Sequence, residues 1–186
     1  MKKQTISRND LPSFLDKSVE QAIERHKVRL SAPAQQYLVE MLGRFAETFG
    51  LYQETWLTPV TFQYQRMSDE LNRVQRMQLQ RDLGDHCLFL VGYFYDFVRK
   101  YGEGQIKYHA QIGSTAYQQI GRIPYLELGE KFDTIYLIIG DLHLPQLDEK
   151  KTVEIYERWE KTRDKYYASL LLGKGIVPKR IKIDKN

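Results

Sequence analysis

The sequence predicts an all-α protein, a single-domain helical bundle of about six or seven helices. Apolar residues recur three and four positions apart along most of the 186 residues, which is the spacing of a helix face. The apolar run TIYLII at 134–139 can also form a buried strand, but the chain has no second convincing strand to pair with it. No repeat of fixed period indicates a solenoid. We therefore expect one domain over residues 1–186, with flexible tails at 1–10 and 176–186.

The N-terminal part of the chain carries two helix starts. Proline fits the opening turn of a helix, so the Leu-Pro pair at 11–12 predicts a first helix that fades near His26. Ser31 is a plausible N-cap with Pro33 in the first turn, and Gly50 is a natural stop. The sequence therefore predicts a second helix between Ser31 and Gly50.

The middle of the chain leads into its most apolar helix. The Thr-Pro pair at 58–59 offers another helix start, and a break is expected near the Ser-Asp pair at 68–69. The stretch LGDHCLFLVGYFYDF at 83–97 then continues as a helix to about Tyr101, where the GEG at 102–104 ends it. We expect this helix to occupy the centre of the core.

The second half of the chain predicts three further helices. They span about 105–121, 124–142 and 149–172, and Gly173 and Gly175 stop the last one. The last helix is expected to turn five residues inward: Val153, Tyr156, Trp159, Tyr166 and Leu170.

Small residues in two of these helices predict a close helix crossing. Gly84 and Gly92 lie eight positions apart, close to the same face of the central helix. Gly113 and Ala116 belong to the next helix along the chain. Because small side chains let backbones approach, we expect the two helices to cross at these residues.

Composition excludes several classes of function. The net charge of +4 is mild and the basic residues are interleaved with acids, which does not imply a nucleic-acid partner. The single cysteine, Cys87, excludes an intramolecular disulfide and a Cys-cluster zinc site. The N-terminus has no apolar signal-peptide core, so a cytoplasmic location is expected. The longest apolar run, 87–95, has nine residues, whereas a membrane helix needs about 20, so no membrane partner is expected.

The neighbours His86 and Cys87 look like a catalytic base and its nucleophile. Adjacent helical residues point about 100° apart, so these two side chains cannot easily pair. We expect Cys87 to be a small buried hydrophobic residue with a protonated thiol. His86 is expected to meet Asp82, four residues earlier on the helix.

Other motifs for chemistry are weak. Imidazoles and carboxylates suit a transition metal, but no HExxH or Glu-x-x-His spacing fixes two ligands on one face. The candidate ligands are Asp85, His86, His109, Asp141 and His143. The glycines form no phosphate-binding loop, and the basic end at 174–186 is more simply a solvated tail than a nucleic-acid site. No cofactor is therefore predicted, with a transition metal as the alternative.

Three segments resemble an uncharacterised family of bacterial, mainly proteobacterial, cytosolic proteins. The segments are LGDHCLFLVGYF, KYHAQIGSTAYQQI and IYERWEKT, and the family pattern is an LGDxxLFxxGxF helix, a Tyr with a later Gly and Ala-Tyr, and a Tyr-x-x-Trp helix. The resemblance implies a bacterial cytosolic origin and a helical fold, and it implies no activity or cofactor. The matching positions are Leu83, Gly84, Asp85, Leu88, Phe89, Gly92, Phe94, Tyr108, Gly113, Ala116, Tyr117, Tyr156 and Trp159.

The polar start of the central helix is the candidate site. If Asp85 faces inward, it can accept hydrogen bonds from Tyr108 or Tyr117, because a buried carboxylate without partners is costly. The candidate residues are Asp85, His86, Tyr108, His109 and Tyr117, and a purely structural network stays open as the alternative.

By elimination, the sequence predicts a non-enzymatic binding or regulatory module that contacts another protein or a second copy of itself. The alternative is a metal-dependent helical enzyme or a ligand-binding protein. The residues of that alternative are Asp85, His86, His109 and His143.

Overall fold

The structure, a computed structural model, describes residues 10–48 and 72–179. Within these ranges every regular element is a helix and no strand occurs, so the prediction of an all-α fold is confirmed. The chain divides into two compact units, Met1–Ile139 and Gly140–Asn186. No helix in the described ranges is long and apolar enough to cross a membrane.

The first unit contains most of the helices. Its central helix is buried at every position from Leu83 to Phe89, as expected for a core helix, and it packs most extensively against the helix that begins at Glu103. The helices are α1 (Leu11–His26), α2 (Ala32–Thr48), α3 (Arg73–Tyr93), α4 (Tyr95–Arg99), α5 (Glu103–Ile120), α6 (Tyr125–Glu130) and α7 (Phe132–Gly140), whose last residue opens the second unit.

The predicted helix starts of α1 and α2 are confirmed. Pro12 lies in the first turn of α1, and the helix ends at His26, followed by Lys27 as its C-cap with a left-handed φ of 51°. Ser31 precedes α2, and its Oγ accepts a hydrogen bond from the backbone N–H of Ala34 at 3.4 Å. The stop predicted at Gly50, the start predicted at 58–59 and the break predicted at 68–69 lie outside the described residues. So do residues 1–9 and 180–186, which are most of the two predicted tails.

A carboxylate from α6 accepts hydrogen bonds at the N-terminal end of α2. Glu127 accepts hydrogen bonds from the backbone N–H of Ser31, at 3.1 and 3.2 Å, and from its hydroxyl, at 2.5 Å. Lys131 donates to the same carboxylate at 2.7 Å. Burial raises the pKa of Glu127, but the hydrogen bonds from Lys131 and Ser31 outweigh it and hold that pKa below its usual value. Glu127 therefore ties α6 to the start of α2 as an ionised carboxylate.

Three breaks divide helices that the sequence predicts as continuous. Phe94, with φ −107° and ψ 32°, separates α3 from α4, and Lys131 separates α6 from α7. In the second unit, Arg163 takes a left-handed φ of 56°, and Asp164 then caps a new helix by accepting from the N–H of Tyr166 at 3.0 Å. The described residues consequently hold nine α-helices, more than the six or seven predicted.

The glycine crossing is confirmed at two positions and wrong at a third. A Cβ added at Gly84 would lie 2.5 Å from the ring of Tyr117, which places α3 directly against α5. A Cβ at Gly113 would lie 2.7 Å from the Cβ of Cys87, across the same pair of helices. Gly92 instead faces Ile139 of α7, because α3 packs a different face against that helix.

Gly92→Leu is expected to destabilise the protein by about 1–3 kcal/mol, because the new Cβ would lie 2.7 Å from the Cβ of Ile139. Both helix backbones would have to move apart to admit the side chain. Chemical unfolding followed by circular dichroism measures this loss. An unchanged free energy of unfolding would contradict the close contact of α3 with α7.

The second unit contains a short 3₁₀ helix and two α-helices. The 3₁₀ helix spans Asp141–Gln146, and α8 (Glu149–Thr162) and α9 (Lys165–Gly173) follow it. Asp148 caps α8 by accepting from the N–H of Lys151 at 2.8 Å. Trp159, Tyr166 and Leu170 are buried as predicted and Tyr156 is half-buried, but Val153 is 58% exposed, so its inward placement is wrong.

Candidate functional site

Asp85 of α3 lies where α2 and α5 meet, and its side chain is only 7% exposed. Its Oδ1 accepts hydrogen bonds from the hydroxyls of Tyr37 and Tyr117, each at 2.6 Å. Its Oδ2 accepts from Nη2 of Arg44 at 2.8 Å. These four residues, the Asp85 cluster, join three helices through one carboxylate.

Helix spacing explains how α2 supplies two of these donors. Tyr37 and Arg44 lie seven positions apart, which places them on one face two turns apart. The guanidinium of Arg44 lies 5.5 Å from the ring centroid of Tyr37, and its side chain is 50% exposed. Met41 lies between them on α2, with its Sδ 3.8 Å from the hydroxyl of Tyr117. The cluster thus runs from a buried core to the surface at Arg44.

The electrostatics of the Asp85 cluster favour a structural role. Burial raises the pKa of Asp85, and the hydrogen bonds from Tyr117, Tyr37 and Arg44 counter this only in part. Burial, and then the charge of Asp85, raises the pKa of both Tyr37 and Tyr117. Both hydroxyls therefore keep their protons and donate to the carboxylate. Both oxygens of Asp85 are engaged by protein donors, which is how a buried carboxylate is accommodated in a core.

Cys87 is fully buried beside Gly113, as predicted. Burial raises the pKa of its thiol far above the ordinary range, so the sulfur stays protonated. A protonated thiol without solvent access is a poor nucleophile. Cys87 therefore behaves as a small apolar residue at the crossing of α3 and α5.

The side chain of His86 lies near His109 and is not part of the Asp85 cluster. It is buried, and that burial, followed by the nearby His109, lowers its pKa from the usual 6.5 to about 4. The Nδ1 of His109 lies 2.7 Å from the carbonyl oxygen of Gln105. Asp82, the partner predicted for His86, is an ion-pair partner of Arg81, with 2.9 Å between Nη2 and Oδ1. His86 is therefore a neutral imidazole within the core at neutral pH.

The lowered pKa of His86 predicts the direction in which the free energy of unfolding changes with pH. The unfolded chain binds a proton at this residue below about pH 6.5, whereas the folded protein does so only below about pH 4. Stability is therefore lost as the pH falls through that window, by up to about 3 kcal/mol in total. Urea unfolding at several pH values between 7 and 4 measures this slope.

His86→Gln is expected to flatten the slope, because glutamine does not titrate. Identical slopes for the wild type and His86→Gln would contradict the buried, neutral state of His86.

The predicted candidate site does not assemble as one group. The hydroxyl of Tyr117 donates a hydrogen bond to Asp85, whereas His86 lies near His109 outside this cluster. Tyr108 is 41% exposed and its ring lies edge-on to His109, with 5.2 Å between centroids, so its predicted contact with Asp85 is wrong. The physical reason is that Tyr108 lies nine positions from Tyr117 on α5, a rotation of about 180° that turns its side chain to the opposite face of the helix.

Sequence reasoning missed Tyr37 and Arg44. An inward carboxylate on the central helix requires donors, and a Tyr and an Arg seven apart on α2 were the available signal. The sequence alone does not say that α2 packs beside this part of α3.

The metal-dependent alternative gains no support from the geometry. In residues 10–48 and 72–179 no three or more His, Cys, Asp or Glu side chains form a group that can hold a metal ion. Asp141 and His143 belong to the second unit, where buried Asp141 accepts a hydrogen bond from the hydroxyl of Ser169 at 3.4 Å.

An open groove of about 460 Å³ lies in the first unit, between α5 and the junction of α6 with α7. Its floor is formed by Ala110, Gly129 and Phe132, all of them buried. The remaining lining residues, Lys107, Gln111, Ser114, Glu130 and Asp133, are polar, and all but the half-buried Ser114 are exposed. This α5–α7 groove is formed by tertiary packing, so no local sequence pattern predicts it.

Comparison of the chain with protein-family models, with curated proteins and with solved structures finds no match. The resemblance of the central helix to the LGDxxLFxxGxF family therefore stays a prediction from the sequence. Function is inferred from the geometry of this chain alone.

Proposed function

We propose that this protein is a non-enzymatic helical module that binds another protein through the α5–α7 groove. The observation that carries the proposal is the arrangement of the groove itself, a buried apolar floor within an exposed polar rim. A concave surface with polar rim side chains is a feature that protein interfaces share, and these rim side chains supply the larger share of the surface that a partner would meet.

The shape of the groove favours a segment of polypeptide as its occupant. A volume of about 460 Å³ falls within the range of ligand sites, but sites for small molecules enclose most of the ligand surface. Here the rim side chains Lys107, Gln111, Glu130 and Asp133 are exposed, so the groove is open along one side. An open groove can receive an extended segment that continues beyond it.

The chemistry of the buried groups supports binding rather than catalysis. The carboxylate of Asp85 is engaged by three protein donors, and the thiol of Cys87 is protonated and inaccessible. Neither group is placed to meet a substrate. A cytoplasmic location in a bacterium is part of the same proposal, since an unpaired cysteine fits a reducing compartment.

Site-specific photo-crosslinking in cells tests the proposal. A benzophenone amino acid replaces Gln111 on the rim of the groove, and the matched control carries it at Gln21, which is also an exposed glutamine but lies on α1. We expect one discrete adduct from position 111 and none from position 21. The partner is then identified by mass spectrometry, and the adduct is reproduced with the two purified proteins.

Three outcomes would overturn the assignment. Equal adducts from both positions, or none from position 111, would remove the groove as a binding site. An adduct that contains two copies of this chain would replace the partner protein with self-association.

A further inference from the structure

We propose that the surface where the start of α3 meets the loop after α5 binds an acidic segment of a partner protein. The α5–α7 groove is lined by residues 107–114 of α5, whereas this surface lies beyond the end of that helix, so the inference goes beyond the proposed function. The surface, called here the arginine surface, consists of Arg73, Val74, Arg76, Met77, Arg122 and Ile123.

Two side-chain contacts join the start of α3 to the end of α5. Nη2 of Arg122 donates to Sδ of Met77 at 2.9 Å, and Nε2 of Gln80 donates to Oε1 of Gln119 at 3.0 Å. The side chain of Asn72 forms a capping box with the first turn of α3, so the helix is well defined from its first residue. The arginine surface is therefore built on two helices that pack against each other.

The arginine surface carries three guanidinium groups. Arg73, Arg76 and Arg122 are exposed, and in residues 10–48 and 72–179 no carboxylate forms an ion pair with any of them. Asp82, the nearest acid within α3, pairs with Arg81 at 2.9 Å. The contact of Arg122 with the sulfur of Met77 leaves its charge in place. Guanidinium groups bind carboxylates through charge-assisted hydrogen bonds, so this surface is complementary to an acidic ligand.

Helix spacing places these charges on one surface. Arg73 and Arg76 are three positions apart and are therefore neighbours on α3, and the same spacing relates Val74 to Met77. Because Arg122 contacts Met77, the third guanidinium group lies beside the same two turns. An occupant of this surface thus meets guanidinium groups next to aliphatic side chains.

The aliphatic side chains favour a protein as the partner. Val74 is 71% exposed and Ile123 is 59% exposed, so both offer surface whose burial would stabilise a complex. All the basic residues of the arginine surface are arginines, which are enriched at protein interfaces where lysine is depleted. A nucleic-acid backbone would engage only the charges. A segment with both carboxylates and aliphatic side chains is complementary to the whole surface.

A synthetic peptide tests this complementarity. The probe is Ac-Glu-Leu-Glu-Glu-Leu-Glu-NH₂ with a fluorescent label, and the control peptide replaces every Glu with Gln. Fluorescence anisotropy with the whole protein measures both dissociation constants. We expect the acidic peptide to bind about tenfold more tightly at low ionic strength, since two exposed ion pairs contribute about threefold each. Added salt should reduce this preference.

Removal of two guanidinium groups should remove most of the preference. Arg73→Gln with Arg76→Gln is expected to weaken the acidic peptide about five- to tenfold. Lys17→Gln with Arg29→Gln removes the same charge from exposed positions elsewhere in the first unit and should change binding less than about twofold. Val74→Gln is expected to weaken the peptide about threefold, because it removes aliphatic surface. Circular dichroism confirms that each variant is folded.

Four results would overturn the inference. The acidic and Gln peptides bind equally, or neither binds. The arginine double variant and its control lose the same affinity. A labelled oligothymidylate of six nucleotides binds more tightly than the acidic peptide and is lost in the arginine double variant, which would replace the protein segment with nucleic acid. The protein forms a dimer that the arginine double variant abolishes, which would replace the partner with a second copy. Crosslinking at position 111 is independent of all four, so either proposal can fail while the other stands.

Discussion

Gly84→Ala is expected to lower the free energy of unfolding by about 2–3 kcal/mol, although it adds a single methyl group to a helix. The new Cβ would lie 2.5 Å from two ring atoms of Tyr117, a residue with no exposed surface. The ring cannot move freely, because its hydroxyl is held by Asp85 at 2.6 Å. Overpacking of a core typically costs about 1–3 kcal/mol, and displacement of this hydrogen bond places the expected loss in the upper part of that range.

Gly43→Ala is the matched control and is expected to raise the free energy of unfolding, whereas Gly84→Ala lowers it. Gly43 lies within α2, and a Cβ added there meets no atom within 4 Å. Alanine should therefore stabilise the helix by about 0.5–1 kcal/mol through its higher helix propensity. Urea unfolding of the three proteins measures both effects. A stabilising Gly84→Ala would contradict the close crossing of α3 and α5.

Asp85→Ala is expected to destabilise the protein by about 3 kcal/mol. The substitution removes the acceptor of three hydrogen bonds and leaves the hydroxyl of Tyr117, a residue with no exposed surface, without that acceptor. An unsatisfied buried polar group costs about 1–3 kcal/mol, and the lost packing adds to it. The charge of Arg44 adds little, because its side chain is half exposed and can be hydrated.

Asp82→Ala removes a carboxylate from the same helix and is the control for Asp85→Ala. Asp82 is half exposed, and its ion pair with Arg81 is screened by water, so the loss should stay within about 0.5 kcal/mol. Tyr117→Phe supplies a second comparison, because it should cost about 1 kcal/mol in the wild type and little once Asp85 is absent. Equal losses for Asp82→Ala and Asp85→Ala would contradict the structural role of the Asp85 cluster.

Local patterns in the sequence were sufficient to predict the all-α class, the starts of α1 and α2 and one half of the cluster. Ser31 and Pro33 mark the start of α2 because capping and the first helical turn depend on neighbouring residues only. The contact of Tyr117 with Asp85 could be predicted because each residue lies on the apolar face of its own helix. Both lie beside the glycines that bring α3 and α5 together.

The other half of the cluster and the groove depend on packing that no local pattern encodes. Tyr37 and Arg44 reach Asp85 only because α2 lies beside α3, 41 to 48 positions away along the chain.

The break at Arg163 was missed because a left-handed arginine is uncommon, although Asp164 is a favourable N-cap for the helix that follows. The α5–α7 groove arises from the angle at which α6 and α7 return to α5, which composition and periodicity do not specify.

The yield of the crosslinked adduct at position 111 tests most directly whether the groove, and not the Asp85 cluster, is the functional site. It is compared between Tyr37→Phe, which removes one donor from Asp85, and Glu130→Lys with Asp133→Lys, which reverses the two acidic charges on the rim of the groove. Both proteins are first shown to be folded. We expect Tyr37→Phe to keep the wild-type yield and the double variant to lose most of it. A folded Tyr37→Phe protein that loses the adduct, beside a double variant that keeps it, would contradict this account and place the functional site at Asp85.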